Sequence, residues 1–445
     1  MFQKLKQTEK MKRIEGELPT SLRMLGMLIN SGVEFNQALE ILSEEEGEFP
    51  KEIKEVLRQS EDGIPLKGSL TALARKYNSK KIKRAIAQLL TAYEHGSKGN
   101  EIKRIGDELL LIQMHEIKEY ASRSALFGLL FIVFSVLVPT FFLVISIIGK
   151  NAFEFNISKE NFILGFLVMI PLINILILLL SKATSPVQSF ERKQTLDVLP
   201  LVLGAIIIGL LFSNLFQLWM LVPFLVLFGV FGYLEYKKER KVEEIEEELP
   251  DAMMALGSMP KGSSLEIMFR KISNGNFGQL SIEFEKSVKQ IDAKVRMSKV
   301  IQDLYSRVDS LVFKRVIRIT NYVLESGSYS VFNEIAEDLL KLFEIQRERK
   351  GLMAIQKYTL IAGAFIVPII LSISIKLGGT MGKILEKGSS GMEILEIASN
   401  SIPIYLVMYS IIAGYYISDV EGKRSRGILY SFLMLAVSMI LYFIV

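Results

Sequence analysis

Apolar residues along this chain follow two patterns. In some stretches they recur every three or four positions between charges, and in others they run nearly unbroken. The unbroken runs are Ser124–Ile148, Asn161–Leu180, Val198–Ser213, Leu215–Leu234, Tyr358–Ile375, Ile402–Ser418 and Ile428–Val445. A helix crosses a bilayer with about 20 apolar residues, so these runs predict about seven transmembrane helices, Val198–Ser213 and Ile402–Ser418 being the shortest. The periodic stretches fill two long polar segments, Met1–Arg123 and about Glu235–Lys357. In the first, Leu22, Leu25, Leu28 and Ile29 share one helical face, and Gly32 is placed to end that helix as a left-handed cap. Pro19 suits the first turn of the same helix, where its missing amide would have been unpaired anyway. Further helices are predicted around Ala38–Leu42, Ile53–Leu57, Leu70–Tyr77, Ile82–Tyr93 and Ile102–Tyr120. No run alternates with period two, so no sheet is expected and the fold is read as all-α.

The two polar segments echo one another. ELPTSLRMLGML from Glu17 and ELPDAMMALGSM from Glu248 agree at five of twelve positions, 231 residues apart. At the same offset Lys83-Arg84 meets Lys314-Arg315, and Glu94-His95-Gly96-Ser97 meets Glu325-Ser326-Gly327-Ser328. With one residue deleted, Ile105–Leu110 aligns with Ile335–Leu340. Each segment then runs into an apolar stretch carrying one proline, Pro139 or Pro368. A collinear series of this kind predicts a duplication. The expected plan is a polytopic membrane protein with two duplicated cytoplasmic helical bundles of about six helices each. Residues 1–123 form the first bundle, 124–234 a membrane sector of four spans, 235–357 the second bundle, and 358–445 a sector of three spans. Each bundle is expected to fold alone, because its apolar face is repeated in six helices.

Charge sets the orientation. Clustered Lys and Arg mark Ser181–Gln194, Tyr236–Lys241 and Asp419–Arg426, whereas Lys150–Glu160 and Lys376–Asn400 balance their lysines with acids. The positive-inside rule then puts both bundles in the cytoplasm and the C-terminus outside a multi-pass cell-membrane protein. The first span is expected to direct insertion, since a long polar N-terminal stretch precedes it. The net charge of +5 is small for 445 residues and does not argue for nucleic acid.

Candidate chemistry is sparse. The absence of cysteine excludes disulfides, thiolate catalysis and cysteine-bound metals. No phosphate loop, HExxH or GxSxG pattern occurs, and His115-Glu116 reads as a solvated helix face. Glu44, Glu45, Glu46 and Glu48 could gather a cation through oxygen, the plainer reading being a solvated loop. No cofactor, no catalytic residue and no metal site is assigned. Polar residues in the spans reduce to Asn174 and Asp197, with no ionisable group at mid-span, which counts against a proton-coupled transporter. Pro139, Pro171, Pro223 and Pro368 are candidate kinks. In KKERKVEEIEEE from Lys237, the basic half suits the membrane surface. The acidic half suits a helix N-terminus before Pro250.

The stretch ELPTSLRMLGMLINSGVEFNQALEIL, with AYEHGSKGNEIKRIGDEL from Ala92, resembles the type II secretion system F-domain family. These are the platform proteins of type II secretion systems, type IV pili, tight-adherence pili and archaella. ELPDAMMALGSMPKGSSLEIMF and YVLESGSYSVFNEIAEDLL carry the same resemblance in the second segment. Its motif positions are Leu18, Pro19, Gly26, Gly32 and Gly96, then Leu249, Pro250, Gly257, Gly262 and Gly327. The resemblance implies a non-enzymatic platform coupling a hexameric cytoplasmic secretion ATPase to pilin-like subunits, within membrane lipids, with a homo-oligomer as a further candidate partner. The basic pairs Lys83, Arg84, Lys314 and Arg315 are candidates for contact with an acidic surface of that ATPase. Their plainer reading is solvated charge or contact with anionic lipid. The rival function is a transporter or channel built from duplicated halves, which would place polar residues at the midplane.

Overall fold

A computed structural model describes residues 2–96, 99–152, 157–184, 221–260, 262–326, 330–384, 389–421 and 426–445. Among the described residues every regular element is a helix. The first six are α1 (Phe2–Asn30), α2 (Phe35–Ser43), α3 (Glu48–Glu61), α4 (Leu66–Lys76), α5 (Lys80–His95) and α6 (Gly99–Ala152). Next come α7 (Lys159–Thr184) and α8 (Leu221–Gly257). The second series is α9 (Leu265–Ser273), α10 (Gly278–Asp292), α11 (Met297–Arg307), α12 (Leu311–Ser326) and α13 (Ser330–Ile384). Then follow α14 (Ser389–Glu421) and α15 (Arg426–Ile444). Five of the pairs match in length or nearly so: 9 residues each for α2 and α9, 11 each for α4 and α11, 16 each for α5 and α12, 54 and 55 for α6 and α13, 14 and 15 for α3 and α10.

The described residues divide into two compact units. The first takes Met1–Ile117 together with Glu239–Glu348. Both polar segments feed one hydrophobic core, in which Leu18, Leu22, Leu25, Ile53 and Ile86 are joined by Leu249, Met253, Phe284, Val300 and Phe313. Burying a side chain of this size contributes about 1.5–3 kcal/mol, and the periodic spacing supplies such residues on every helix. The expectation that each bundle stands alone therefore meets a core that the two segments share.

Two helix starts are corrected. Pro19 lies deep inside α1 and Pro250 deep inside α8, neither in a first turn. The apolar spacing of Met11, Ile14, Leu18, Leu22 and Leu25 carries the helix through Pro19 and seats it in the core. That burial offsets the lost hydrogen bond, which costs about 3 kcal/mol. Ile245, Leu249, Ala252 and Leu256 do the same around Pro250, so the acidic run of α8 lies within a helix and does not cap one.

Helix ends follow the predicted logic. Gly32 has φ +90°, with its N–H bonded to the Ile29 carbonyl and the Val33 N–H to that of Leu28, which closes a Schellman cap. The same pair of bonds ends α3 at Gly63 (φ +93°) and α10 at Lys294 (φ +57°), 231 positions on. Lys294 is the one non-glycine among the described residues with positive φ.

The second unit gathers the described residues within 118–184, 221–238 and 349–445. Five described helical stretches are long and apolar enough to cross a membrane: Gly99–Ile147, Lys159–Thr184, Val331–Thr380, Ile394–Glu421 and Arg426–Ile444. Of the seven spans expected, Val198–Ser213 and Asp197 lie outside the described residues, and Leu215–Leu234 is described only from Leu221. Leu129, Leu137, Phe141, Leu172, Ile373 and Phe443 are exposed around this unit, as a lipid-facing surface requires. In α7 a π-helical segment, Leu164–Met169, immediately precedes Pro171. A proline there withholds an amide from the preceding turn, and a wider turn absorbs the mismatch. Pro139 and Pro368 sit inside α6 and α13.

The interior of this unit is more polar than the sequence pattern indicated. Tyr405 donates to the Ser135 carbonyl at 2.7 Å, Tyr409 to that of Leu360 at 3.2 Å, and Ser124 to the Gln356 side-chain oxygen. Lys357 donates to Glu421 at 2.5 Å and to the Tyr430 hydroxyl at 3.1 Å, while Tyr430 donates to Glu421 at 2.8 Å. Asn174 is buried beside Tyr405.

Candidate functional site

The first unit carries three charged assemblies, each built where helices meet. The first occurs twice. Glu52 on α3 is buried and accepts from Lys10 of α1 at 2.7 Å, Lys76 at the end of α4 at 2.6 Å, and Tyr77 at 2.8 Å. Glu283 on α10 is also buried. It accepts from Lys241 of α8 at 2.6 Å, Lys286 at 2.8 Å and Arg307 at the end of α11 at 3.0 Å. Glu52, Lys10 and Lys76 fall 231 positions before Glu283, Lys241 and Arg307. Burial pushes both carboxyls up, and the hydrogen bonds from the cations outweigh it, so Glu52 ends below the usual range and Glu283 at about 2. Each knot pins three helices through one carboxylate. No local signal in the sequence sets these positions apart from solvated charges, and only their common offset could have marked them.

The second assembly joins the acidic turn to the second basic pair. Glu45 follows α2 and is buried. It accepts from Arg315 at 3.0 Å and from Arg318 at 2.7 Å, both on α12. Glu46 lies 3.5 Å from Lys314, and Glu44 lies 3.9 Å from Arg318. The turn that sequence offered as a possible cation site thus faces three basic side chains. Among the described residues no three His, Asp or Glu converge as metal ligands would.

The first basic pair has a different setting. Ser79 caps α5 by accepting the Ile82 N–H at 3.2 Å, as Ser310 accepts the Phe313 N–H at 3.0 Å ahead of α12. Lys83 and Arg84 then occupy the positions of Lys314 and Arg315, but both are exposed. The Arg84 side chain is 51% exposed against 17% for Arg315. Arg84 pairs with Glu108 of α6. Among the described residues Lys83 has no ion-pair partner.

The third assembly is buried Arg23 of α1, whose guanidinium faces Asp338 of α13 and lies 3.4 Å from Asp107 of α6. Lys103 of α6 and Glu334 of α13 pair nearby at 2.7 Å. A buried guanidinium is tolerable only with such compensation.

The motif residues shape these contacts. Leu18 and Leu249 are fully buried, and Pro19 and Pro250 lie beside them. A Cβ on Gly26 would meet the Gly99 carbonyl at 2.7 Å, so α1 and the start of α6 touch backbone to backbone. A Cβ on Gly257 would run into the Asn333 side chain, which brings the end of α8 against α13. Gly96 caps α5 in the left-handed region, Gly262 has φ +86°, and Gly327 lies outside the described residues. Glu17, the acid of the first ELP, accepts the Phe49 N–H at 2.7 Å and so caps α3 from another helix. Burial pushes its carboxyl up, against the pull of that bond.

In comparison with known families, residues 21–146 match the model described as Type II secretion system (T2SS), protein F. Neither the curated proteins nor the solved structures gave a match. From the latter part of α1, through the buried and capped positions above, to the apolar stretch of α6, residues 21–146 are therefore a domain of the type II secretion system protein F family.

Proposed function

We propose that this protein is a non-enzymatic platform in a cell membrane, coupling a hexameric secretion ATPase to pilin-like subunits during assembly of a type IV pilus-like filament or a type II secretion system. The observation that carries the reading is the family domain itself, whose last helix, α6, continues as an apolar stretch long enough to span a bilayer. The chain is further read as two copies of one module, supported by the matched carboxylate knots and matched helix caps at one offset. Clustered Lys and Arg in the loops favour both modules on the cytoplasmic side. There the first unit has a role that needs shape and charge, and its ionic assemblies supply both. A membrane sector of seven spans would hold the subunits.

Cross-linking in native membranes followed by mass spectrometry tests this. The expected partners are an ATPase carrying GxxxxGK[ST] and small subunits with one N-terminal apolar helix. Recovery of neither, together with solute flux through vesicles reconstituted with the purified chain, would favour the transporter reading instead.

A further inference from the structure

The contact between the acidic turn and α12 has no counterpart on α5, although the two helices present the same face. On α12 that face is Leu311, Lys314, Arg315 and Arg318, all half-buried. On α5 the same positions are Lys80, Lys83, Arg84 and Ala87, all exposed. The turn that covers α12 is Ser43-Glu44-Glu45-Glu46-Gly47, after α2. Its counterpart after α9 is Ser273-Asn274-Gly275-Asn276-Phe277, which has no acid. The chain thus holds two basic faces of one design and a single acidic turn to fill them.

We infer that the open face of α5 is a docking surface for a partner protein that presents consecutive carboxylates on a turn ahead of a helix. The intramolecular contact is the template: Glu44-Glu45-Glu46 precedes α3 by one residue, the two oxygens of Glu45 engage Arg315 and Arg318, and Glu46 faces Lys314. Charge complementarity of this kind steers encounter and fixes orientation. Two features tune the open face. Glu108 competes for Arg84, and Ala87 stands where α12 has Arg318, so α5 offers a weaker and therefore reversible version of the same contact. The assignment deepens the platform reading and rests on it for the existence of a partner. It also narrows the basic residues involved to Lys83 and Arg84, since Lys314 and Arg315 are already engaged within the chain.

The test uses the full-length protein in detergent. The probe is a fluorescein-labelled peptide copying residues 35–61, read by anisotropy at low and high salt. The second basic face is filled in cis at high effective concentration, so the peptide is expected to bind at α5. K83E/R84E should weaken binding by about tenfold or more, E108Q should tighten it about two- to threefold, and A87R should tighten it further. K314E/R315E and a peptide with glutamines at the three glutamates serve as contrasts: the first should retain binding and the second should not bind. Equal affinity of parent and K83E/R84E, or binding abolished by K314E/R315E alone, would overturn the assignment. So would displacement of the peptide's role by lipid, seen as dioctanoyl phosphatidylglycerol binding to the parent and not to K83E/R84E while the peptide binds neither. Circular dichroism confirms that every variant, K314E/R315E included, is folded before its binding is read, and A87R keeps the test decisive if a reversal is not. A negative peptide result leaves the cross-linking experiment, and the platform reading with it, untouched.

Discussion

At the scale of single residues, the buried carboxylates are the strongest polar determinants of the first unit. Glu283 holds three cations from three helices, each of them partly exposed. E283Q removes the buried charge that draws them together and is expected to destabilise the protein by about 2–3 kcal/mol near neutral pH. The folded carboxyl titrates at about 2, below its ordinary 4.5. A depressed carboxyl stabilises the fold above its unfolded value, and that contribution is lost as pH falls through the folded value. Parent and E283Q should therefore converge in thermal unfolding between about pH 4.5 and about pH 2, and a constant gap would refute the knot. Lys294 gives the opposite sign. It occupies a left-handed cap that Gly63 fills without strain in the first segment. K294G should raise stability by about 0.5–1 kcal/mol, measured as a rise in melting temperature.

At the scale of elements, close helix approach decides which positions tolerate a methyl group. Gly26 lies against the backbone of Gly99, which cannot rotate aside. G26A is expected to cost about 1–3 kcal/mol and to separate α1 from the start of α6. Gly351, inside α13, has open space around its Cα. G351A should be neutral or stabilising by up to about 1 kcal/mol, from helix propensity alone. Chemical denaturation of the two variants in one detergent checks the contrast, and equal effects would show that the Gly26 contact is not close-packed. These elements were legible to different degrees. Helices α2 to α5 appear in the sequence through their 3.6-residue period, and Gly32 through its place after the last apolar position. The starts of α1 and α8 were misread, because a proline preceded by acids looks locally like a helix opening. Only the buried apolar positions on both sides of it show that the helix continues.

For the whole molecule, the shared core of the first unit has a consequence for its halves. Residues 1–120 and 243–349 each present to the other the apolar face that includes Leu22 and Met253, and Arg23 needs Asp338 across that boundary. Co-expressed as separate pieces, they should co-purify as one complex with helical circular dichroism. Expressed singly, each should aggregate or melt at least about 10 °C lower, because a 1 kcal/mol change shifts the melting of a domain this size by several degrees. Two independent monomers would show that the core is divisible after all. Orientation is checked separately: a reporter after Val445 should lie outside the cell and one after Lys423 inside, as the loop charges require.

The sequence by itself determined the helical class, the apolar stretches and the order of elements. Local spacing of apolar residues, and the glycine at a helix end, depend only on neighbours a few positions away. The family resemblance was legible in part for the same reason, since Gly32 and Gly96, two of its motif residues, end their helices through bonds to residues a few positions away. Tertiary structure alone decided the roles of the charges. Glu45, Glu52, Glu283 and Arg23 resemble any solvated charge in the sequence, and the partners that tie them to other helices lie between 24 and 315 residues away. Which of two like basic faces is filled and which stays open follows from packing one half against the other, and no local pattern encodes that choice.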